Sequence, residues 1–207
     1  MSLWLGAFMR KIKYGKSIVL VSGLPRSGTS MAMKMLDAGG LDLIQDGIRT
    51  ADEDNPKGYF EDERVKDLAK TEDKRWLKNV RGKVIKVVSS LLQYLPPENH
   101  YKVVFMRREL QEVLASQAKM LKRREEKHAA SDEDMVRMYE QHLDKVGFQL
   151  RFRRNFDVLF LKYRDVLADP LREAERMNEF FGGKLDIEKM VGVVDPALYR
   201  NRAEKRS

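Results

Sequence analysis

The chain has 207 residues, 43% of them hydrophobic, and a domain of this length buries roughly 70% of the surface its unfolded chain exposes, enough for one sizeable core. Forty Lys and Arg against thirty-two Asp and Glu leave a formal charge of +8, so the long-range field favours acidic partners such as phosphate esters, sulfated sugars or nucleic acid. The absence of Cys excludes disulfide scaffolds, thiolate nucleophiles and cysteine-ligated metal sites, and three scattered histidines (His100, His128, His142) lack the spacing of a helical zinc site.

The opening MSLWLGAF is apolar but short, and MRKIKYGK after it reverses the charge order of a signal peptide. No apolar stretch approaches the ~20 residues that span a bilayer. A cytoplasmic protein with no membrane partner is expected.

Four apolar runs are continuous rather than alternating and rich in β-branched residues, which predicts buried parallel strands from Ile18 to Val21, Val84 to Val88, Val103 to Met106 and Val158 to Leu161. Helical spacing separates them. Met31, Met35 and Leu36 form a stripe after the first run, and Leu110, Val113, Leu114, Gln117 and Leu121 do so after the third. A further helix opens at Ser131 or Asp132, with acids in its first turn, and carries Met135, Tyr139, Leu143 and Val146. Another runs from about Pro170 to Gly182-Gly183. Strands alternating with helices predict an α/β fold, a mainly parallel central sheet of about four to five strands flanked by helices on both faces. One domain is expected over residues 1–207, with 195–207 as a flexible basic tail, and ligands are expected beyond the carboxyl ends of the strands. The segments from Leu41 to Tyr59 and from Val194 onward read least regular.

The first run leads directly into Gly23-Leu24-Pro25-Arg26-Ser27-Gly28-Thr29-Ser30, a Gly, four residues, then Gly-Thr-Ser opening a helix. This is the plan of a P-loop, in which glycines let the chain wrap closely and the helix directs its positive end at an oxyanion. Nucleoside triphosphatases carry Lys before the final Ser/Thr; here Thr29 stands there and the cation appears earlier, as Arg26. The third run ends Phe105-Met106-Arg107-Arg108 and the fourth Leu161-Lys162-Tyr163, so cations stand where a metal-holding Asp would be. Such a site is suited to neutralising anions directly through charge-assisted hydrogen bonds, with no metal required.

Three separate segments resemble the sulfotransferases that use 3′-phosphoadenosine 5′-phosphosulfate (PAPS). Pro25-Arg26-Ser27-Gly28-Thr29-Ser30 resembles that family's 5′-phosphosulfate loop, and Val103 to Arg108 through Ser116 resembles its 3′-phosphate motif, an Arg at a strand end and a Ser eight residues later. Tyr163 to Pro170, followed by Phe180-Phe181-Gly182, is similar to its Tyr-Glu-Asp-Leu, Asp-Pro and Phe-Leu-Gly series. The resemblance implies that PAPS is the cofactor and 3′-phosphoadenosine 5′-phosphate (PAP) its product. Arg26, the loop and the hydroxyls of Thr29 and Ser30 would hold the 5′-phosphosulfate, while Arg108 and Ser116 would hold the 3′-phosphate, with Arg107 a lesser candidate. From the residues alone, Arg108 could instead merely pair with Glu112 one helical turn on, a contact worth about 0.3–0.5 kcal/mol on an exposed helix.

The departures from the family concern the base. Many cytosolic members carry Lys-Thr-His, whose His removes the acceptor proton; the corresponding stretch here is Ile85-Lys86-Val87-Val88-Ser89-Ser90, which retains a matching Lys86 but no His. The family's Arg-Lys-Gly segment is replaced by Tyr199-Arg200-Asn201-Arg202, where Arg200 is the candidate to close over the nucleotide. The tyrosylprotein sulfotransferases share the Pro-Arg-Ser-Gly-Thr start and place a Glu soon after the first helix. The ungapped position is Gly47, and its neighbour Asp46 becomes the leading base candidate, with Glu53 second.

Two other readings stay open at this level. One is a P-loop nucleotide or small-molecule kinase with a helical lid near Lys122 to Asp134; the other is a non-catalytic module binding nucleotide or anions through its charge. A nucleic-acid partner is not expected, because the basic segments Lys122-Arg123-Arg124 and Arg151 to Arg154 lack interleaved aromatic stacking motifs. The acceptor and the oligomeric state have no motif to identify them.

Overall fold

Four apolar runs form one parallel sheet in a computed structural model that describes residues 13–46, 60–123 and 131–195. The strands are β1 (Ile18–Gly23), β2 (Val84–Lys86), β3 (Tyr101–Arg107) and β4 (Phe156–Lys162), ordered β2-β1-β3-β4. Their register sets Val21 beside Lys86, Gly23 beside Met106 and Arg107 beside Lys162. The carboxyl ends of β1, β3 and β4 therefore finish together, at the level where the loop begins.

Continuous apolar sequence is needed because both faces of the sheet are covered. Ile18, Leu20, Val103 and Phe105 enter one core, and Val19, Val21, Val104 and Met106 enter the other. The first core is closed by the 21-residue helix Asp132–Phe152, through Val146 and Leu150. The second is closed by the helix Thr29–Ala38, through Met33, Met35 and Leu36. In chain order the helices are α1 (Thr29–Ala38), α2 (Leu110–Arg123), α3 (Asp132–Phe152), α4 (Tyr163–Ala168), α5 (Pro170–Phe181) and α6 (Ile187–Gly192), with 3₁₀ helices at Glu63–Ala69, Arg75–Val80 and Ser89–Tyr94. No helix among the described residues is long and apolar enough to cross a membrane.

Helix ends follow local chemistry. Ser131 caps α3 by accepting from the Asp134 N–H at 3.2 Å, and α5 opens on Pro170 with Asp169 accepting from the Arg172 N–H at 3.1 Å. Gly182 ends α5 at φ 93. Three strands, β1, β3 and β4, outrun their apolar stretches; Lys102 within β3 finds a partner by donating to the Phe180 carbonyl at 2.6 Å. By contrast β2 stops at Lys86 rather than Val88. Val87 still donates to the Val21 carbonyl at 3.0 Å, but Val88 leads into the 3₁₀ turn at Ser89.

The irregular segment after α1 is anchored at its two described ends. Ile44 donates to Val84 and Val84 to Asp42, both at 2.8 Å, which lays residues 42–44 along β2. Asp62 then caps the 3₁₀ helix Glu63–Ala69 and takes a two-point contact from the Arg64 side chain at 2.9 and 2.6 Å, while Arg64 lies 4.6 Å over Trp76. The Asp62 carboxyl is held below its ordinary range by the Arg64 hydrogen bonds, which outweigh its burial.

Asp62→Ala should cost about 1–2 kcal/mol at neutral pH, the range for losing a cap, seen as a lower urea midpoint with an unchanged slope. A depressed folded pKa contributes stability above the unfolded value of 3.8 and loses it as pH falls through the folded one. The gap between wild type and variant should therefore narrow only below about pH 4.

Candidate active site

The loop between β1 and α1 is tightly folded and its glycines are sterically required. A side chain at Gly23, where φ is 149, would lie 2.5 Å from Ser27 Oγ and 2.6 Å from the Met106 carbonyl. One at Gly28, where φ is 98, would lie 2.4 Å from the ring of Tyr163. Between them Arg26 has φ 70, a left-handed conformation that costs a non-glycine residue about 1–3 kcal/mol and is retained where the surroundings demand it. Ser27 is 1% exposed, and among the described residues its hydroxyl has no hydrogen-bond partner. An unmet buried hydroxyl costs about 1–3 kcal/mol, so a donor and acceptor stand ready inside a cradle that any Cβ at Gly23 would fill.

Residues distant in sequence meet at this loop. The Arg26 Nε–H donates to Ser116 Oγ on α2 at 2.9 Å, and an Arg108 Nη–H donates to the Arg26 carbonyl at 3.1 Å. Arg108 also donates to Glu112 at 3.0 Å and stacks 4.4 Å over the ring of Tyr163, the same ring that crowds Gly28. The helical Arg108 to Glu112 pairing allowed by the sequence is present, but it is not an exposed pair, since the two side chains are 7% and 0% exposed. Burial raises the Tyr163 hydroxyl above its usual pKa, against the opposing pull of Arg108, and keeps it protonated.

Glu112 and Tyr163 thus belong to the site as supports. Their sequence signal was the four-residue offset from Arg108 and the position just after a strand end. Arg107 turns the other way, with its guanidinium 4.4 Å over Phe160 on the face of β4 covered by α3. Strand alternation, which sends successive side chains to opposite faces, separates the two arginines.

The base candidates lie toward β2. Asp46 is exposed, donates its backbone N–H to the Glu61 carbonyl at 3.0 Å, and accepts the Glu63 N–H on its carboxylate at 2.7 Å. Lys86 donates to the Glu61 carboxylate at 3.2 Å, with both side chains largely buried. Glu61 ties the two together. Glu53 and Arg200 lie outside the described residues. Pro25 is exposed at the loop tip, Thr29 is buried at the first turn of α1 and Ser30 half-buried.

Beyond the strand ends a cleft of about 420 Å³ runs from Leu24 and Ser27 of the loop to Leu143 and Gly147 of α3 and Phe160 and Tyr163 of β4 and α4. This is the position at which open parallel sheets bind their ligands. Among the described residues no group of three or more His, Asp or Glu is placed to share a metal ion.

A glycine-bounded loop between a parallel strand and a helix, flanked by arginines from a neighbouring strand end, defines a P-loop-type domain shaped for oxyanions. A model of the sulfotransferase domain matches residues 16–202, and the chain belongs to that family. It is an enzyme of sulfuryl transfer, and the kinase and non-catalytic readings give way to this one. The fold is similar to that of the sulfotransferase domain of the Synechococcus PCC 7002 olefin synthase, at TM-score 0.56 and 16% identity over 94% of this chain and 91% of that one. It is also similar to the sulfotransferase domain from the curacin biosynthetic pathway, at TM-score 0.52 and 14% identity over 87% and 78%. At these identities the likeness is one of fold. No curated protein matches the chain in sequence.

Gly28→Ala should separate the loop from Tyr163 and disturb both the left-handed turn and the stacked Arg108. Expected are a loss of stability of at least about 1 kcal/mol and a loss of sulfuryl transfer beyond what unfolding explains, measured on the folded fraction at low temperature.

Proposed function

We propose that the sulfuryl donor is PAPS and that the loop and Arg108 divide its two phosphate ends between them. The carrying observation is the convergence of Arg26, Arg108 and Ser116, held by the Arg26 to Ser116 and Arg108 to Arg26 hydrogen bonds. When bound, PAPS supplies a sulfuryl group whose departure leaves growing negative charge on the bridging oxygen of its 5′-phosphate. Arg26, Ser27, Thr29 and Ser30, with the glycine-permitted turn at Gly28, hold that end and meet the charge as it develops. Pro25 shapes the approach to the loop. Arg108 and Ser116 hold the 3′-phosphate, with Glu112 and Tyr163 orienting the guanidinium, and Arg200 is assigned to close over the nucleotide.

In this reading the acceptor proton goes to a carboxylate of the segment 41–61, Asp46 ahead of Glu53. The hydrogen bond from Glu63 to Asp46 fixes that carboxylate in place. Lys86, at the end of β2 and two positions of register from the loop, supplies positive charge beside the transferring group. The reaction needs no metal, the chain acts as one domain over 1–207, and the compartment is the cytoplasm, a reading supported by the absence of Cys.

PAP should bind more tightly than AMP by at least about 1.5–3 kcal/mol, the range for a hydrogen bond to a charged group. Arg108→Ala should erase that preference in calorimetry, and because Arg108 also bonds the Arg26 carbonyl it should weaken AMP binding as well, by less than it weakens PAP binding. Equal affinity of the wild-type chain for PAP and AMP removes PAPS as the donor.

Asp46→Asn should keep the fold and PAP affinity and lower turnover by about 100-fold, the scale of lost general-base assistance. Full activity in both Asp46→Asn and Glu53→Gln would move the base elsewhere, and activity in EDTA should match the untreated enzyme.

A further inference from the structure

Glu61 reaches the end of β2 through an unusual turn. Along that strand Val84 enters the core closed by α1 and Ile85 the core closed by α3, so the pleat turns Lys86 to the α1 side of the sheet. Phe60 packs into that same α1-side core. In an extended chain the residue after it would point the opposite way. Phe60 instead has φ 52, a left-handed conformation that is costly for a bulky residue and retained where its surroundings hold it. The turn breaks the alternation, and Glu61 follows Phe60 to the α1 side, where its carboxylate accepts from Lys86 Nζ at 3.2 Å.

This pair differs from the ion pairs beside it. Glu63 with Lys66 and Asp67 with Lys70 lie three residues apart on one 3₁₀ helix, with exposed side chains, and such pairs contribute little. Glu61 and Lys86 are 25 residues apart in sequence, and their side chains are only 24% and 16% exposed. A lysine is a point charge on a flexible four-carbon stem, so a fixed carboxylate is what gives its ammonium a direction. That contact occupies one of its three N–H donors. The other link made by Glu61, from the Asp46 N–H at 3.0 Å, goes to its backbone carbonyl. Changing the Glu61 side chain therefore alters the hold on Lys86 and spares the hold on Asp46.

We propose that Glu61 is a positioning residue of the reaction: its carboxylate aims the Lys86 ammonium at the transferring sulfuryl group, and the left-handed turn at Phe60 delivers that carboxylate. The inference rests on the reading of PAPS as the donor and of Lys86 as the charge beside its sulfuryl group. Glu61 touches neither donor nor acceptor. Its loss acts on turnover through Lys86 and spares nucleotide affinity, because in that reading Arg26, Arg108 and Ser116 hold the nucleotide.

The test uses the full chain with PAPS as donor and water as acceptor. The water oxygen bonds to sulfur as the bond from sulfur to the 5′-phosphate oxygen breaks; that oxygen keeps the electron pair in PAP, and sulfate leaves as the water's protons pass to solvent. Glu61→Met removes the acceptor of the Lys86 hydrogen bond at nearly constant length, and should lower kcat about tenfold or more, the scale of a misplaced group. The KM for PAPS and the PAP affinity in calorimetry should stay within about twofold of wild type. Glu61→Gln returns an oxygen to the same place and should recover part of the loss. In a Lys86→Met background, Glu61→Met should change kcat by no more than about twofold, because no ammonium remains to be aimed. Independent effects of the two substitutions, PAP affinity lost in step with kcat, Glu61→Gln as slow as Glu61→Met, or unchanged turnover in Glu61→Met each overturns the proposal. PAP that binds while wild type hydrolyses no PAPS overturns it as well. Acetylation by acetic anhydride, read at Lys86 by mass spectrometry, tests the hold without nucleotide: Lys86 should label severalfold faster in Glu61→Met, and equal rates overturn the proposal. Failure of the wild-type chain to bind PAP overturns the donor reading instead, and the acetylation rates still decide whether Glu61 holds Lys86.

Discussion

One buried guanidinium holds the site together. Arg108 leaves the end of β3, pairs with Glu112 at the start of α2, bonds the carbonyl of Arg26 within the loop, and sits over the ring of Tyr163 at the start of α4. Four segments thus meet at a single side chain that is 7% exposed. A cation this deep is tolerable only when its partners satisfy it, because desolvation costs more than an isolated pair returns. The constraint also runs outward. Tyr163 can receive Arg108 on one face only if residue 28 has no side chain to press on its edge, so the glycine of the loop and the arginine of β3 depend on each other.

Parallel strands convert that arrangement into two working faces. Successive residues at the end of β3 point to opposite sides of the sheet, so Arg108 joins the loop while Arg107 joins Lys162 over the α3 face. The site is therefore not a diffuse basic patch, despite the net charge of +8. Its cations are sorted by the pleat into a buried set fastened to the loop and an exposed set at the mouth of an apolar cleft. The first set is expensive to desolvate and rigid, which suits recognition of a fixed phosphate; the second remains hydrated.

On the opposite flank, the segment after α1 returns along β2 and brings Asp46, Glu61 and Lys86 close together. Lys86 ends β2, is matched to Glu61, and is followed by Val87-Val88 rather than by a histidine. In the proposed mechanism, acid and base groups for transfer at this loop come from a connecting segment rather than from the strand itself. Loops carry such roles readily where a rigid scaffold fixes their ends, as the Asp62 cap and the β2 bridge do here.

The features legible in the sequence were the local ones. The loop from Gly23 to Ser30 announces itself because a tight anion-binding turn needs glycines at set positions in a strand-to-helix context, and four continuous apolar runs announce a sheet buried on both faces. The meeting of Arg26, Arg108 and Ser116 was approachable too, because their segments keep the order and spacing of a known family. What the residues could not show by themselves was the environment of each charge. Arg108 with Glu112 reads as an ordinary helical pair, and only the packing of α2 against the loop turns it into a buried one. Arg107 and Arg108 are equivalent neighbours in the chain, and only the pleat of β3 gives them opposite faces. The end of β2 at Lys86, the anchoring of Asp46 by Glu63 and the pairing of Arg107 with Lys162 in one register all arise from contacts between segments far apart in sequence. Local propensity specified which elements form, because turns, caps and periodicity act over a few residues; tertiary packing decided which side chains are desolvated and which stay in water, because burial depends on every element at once.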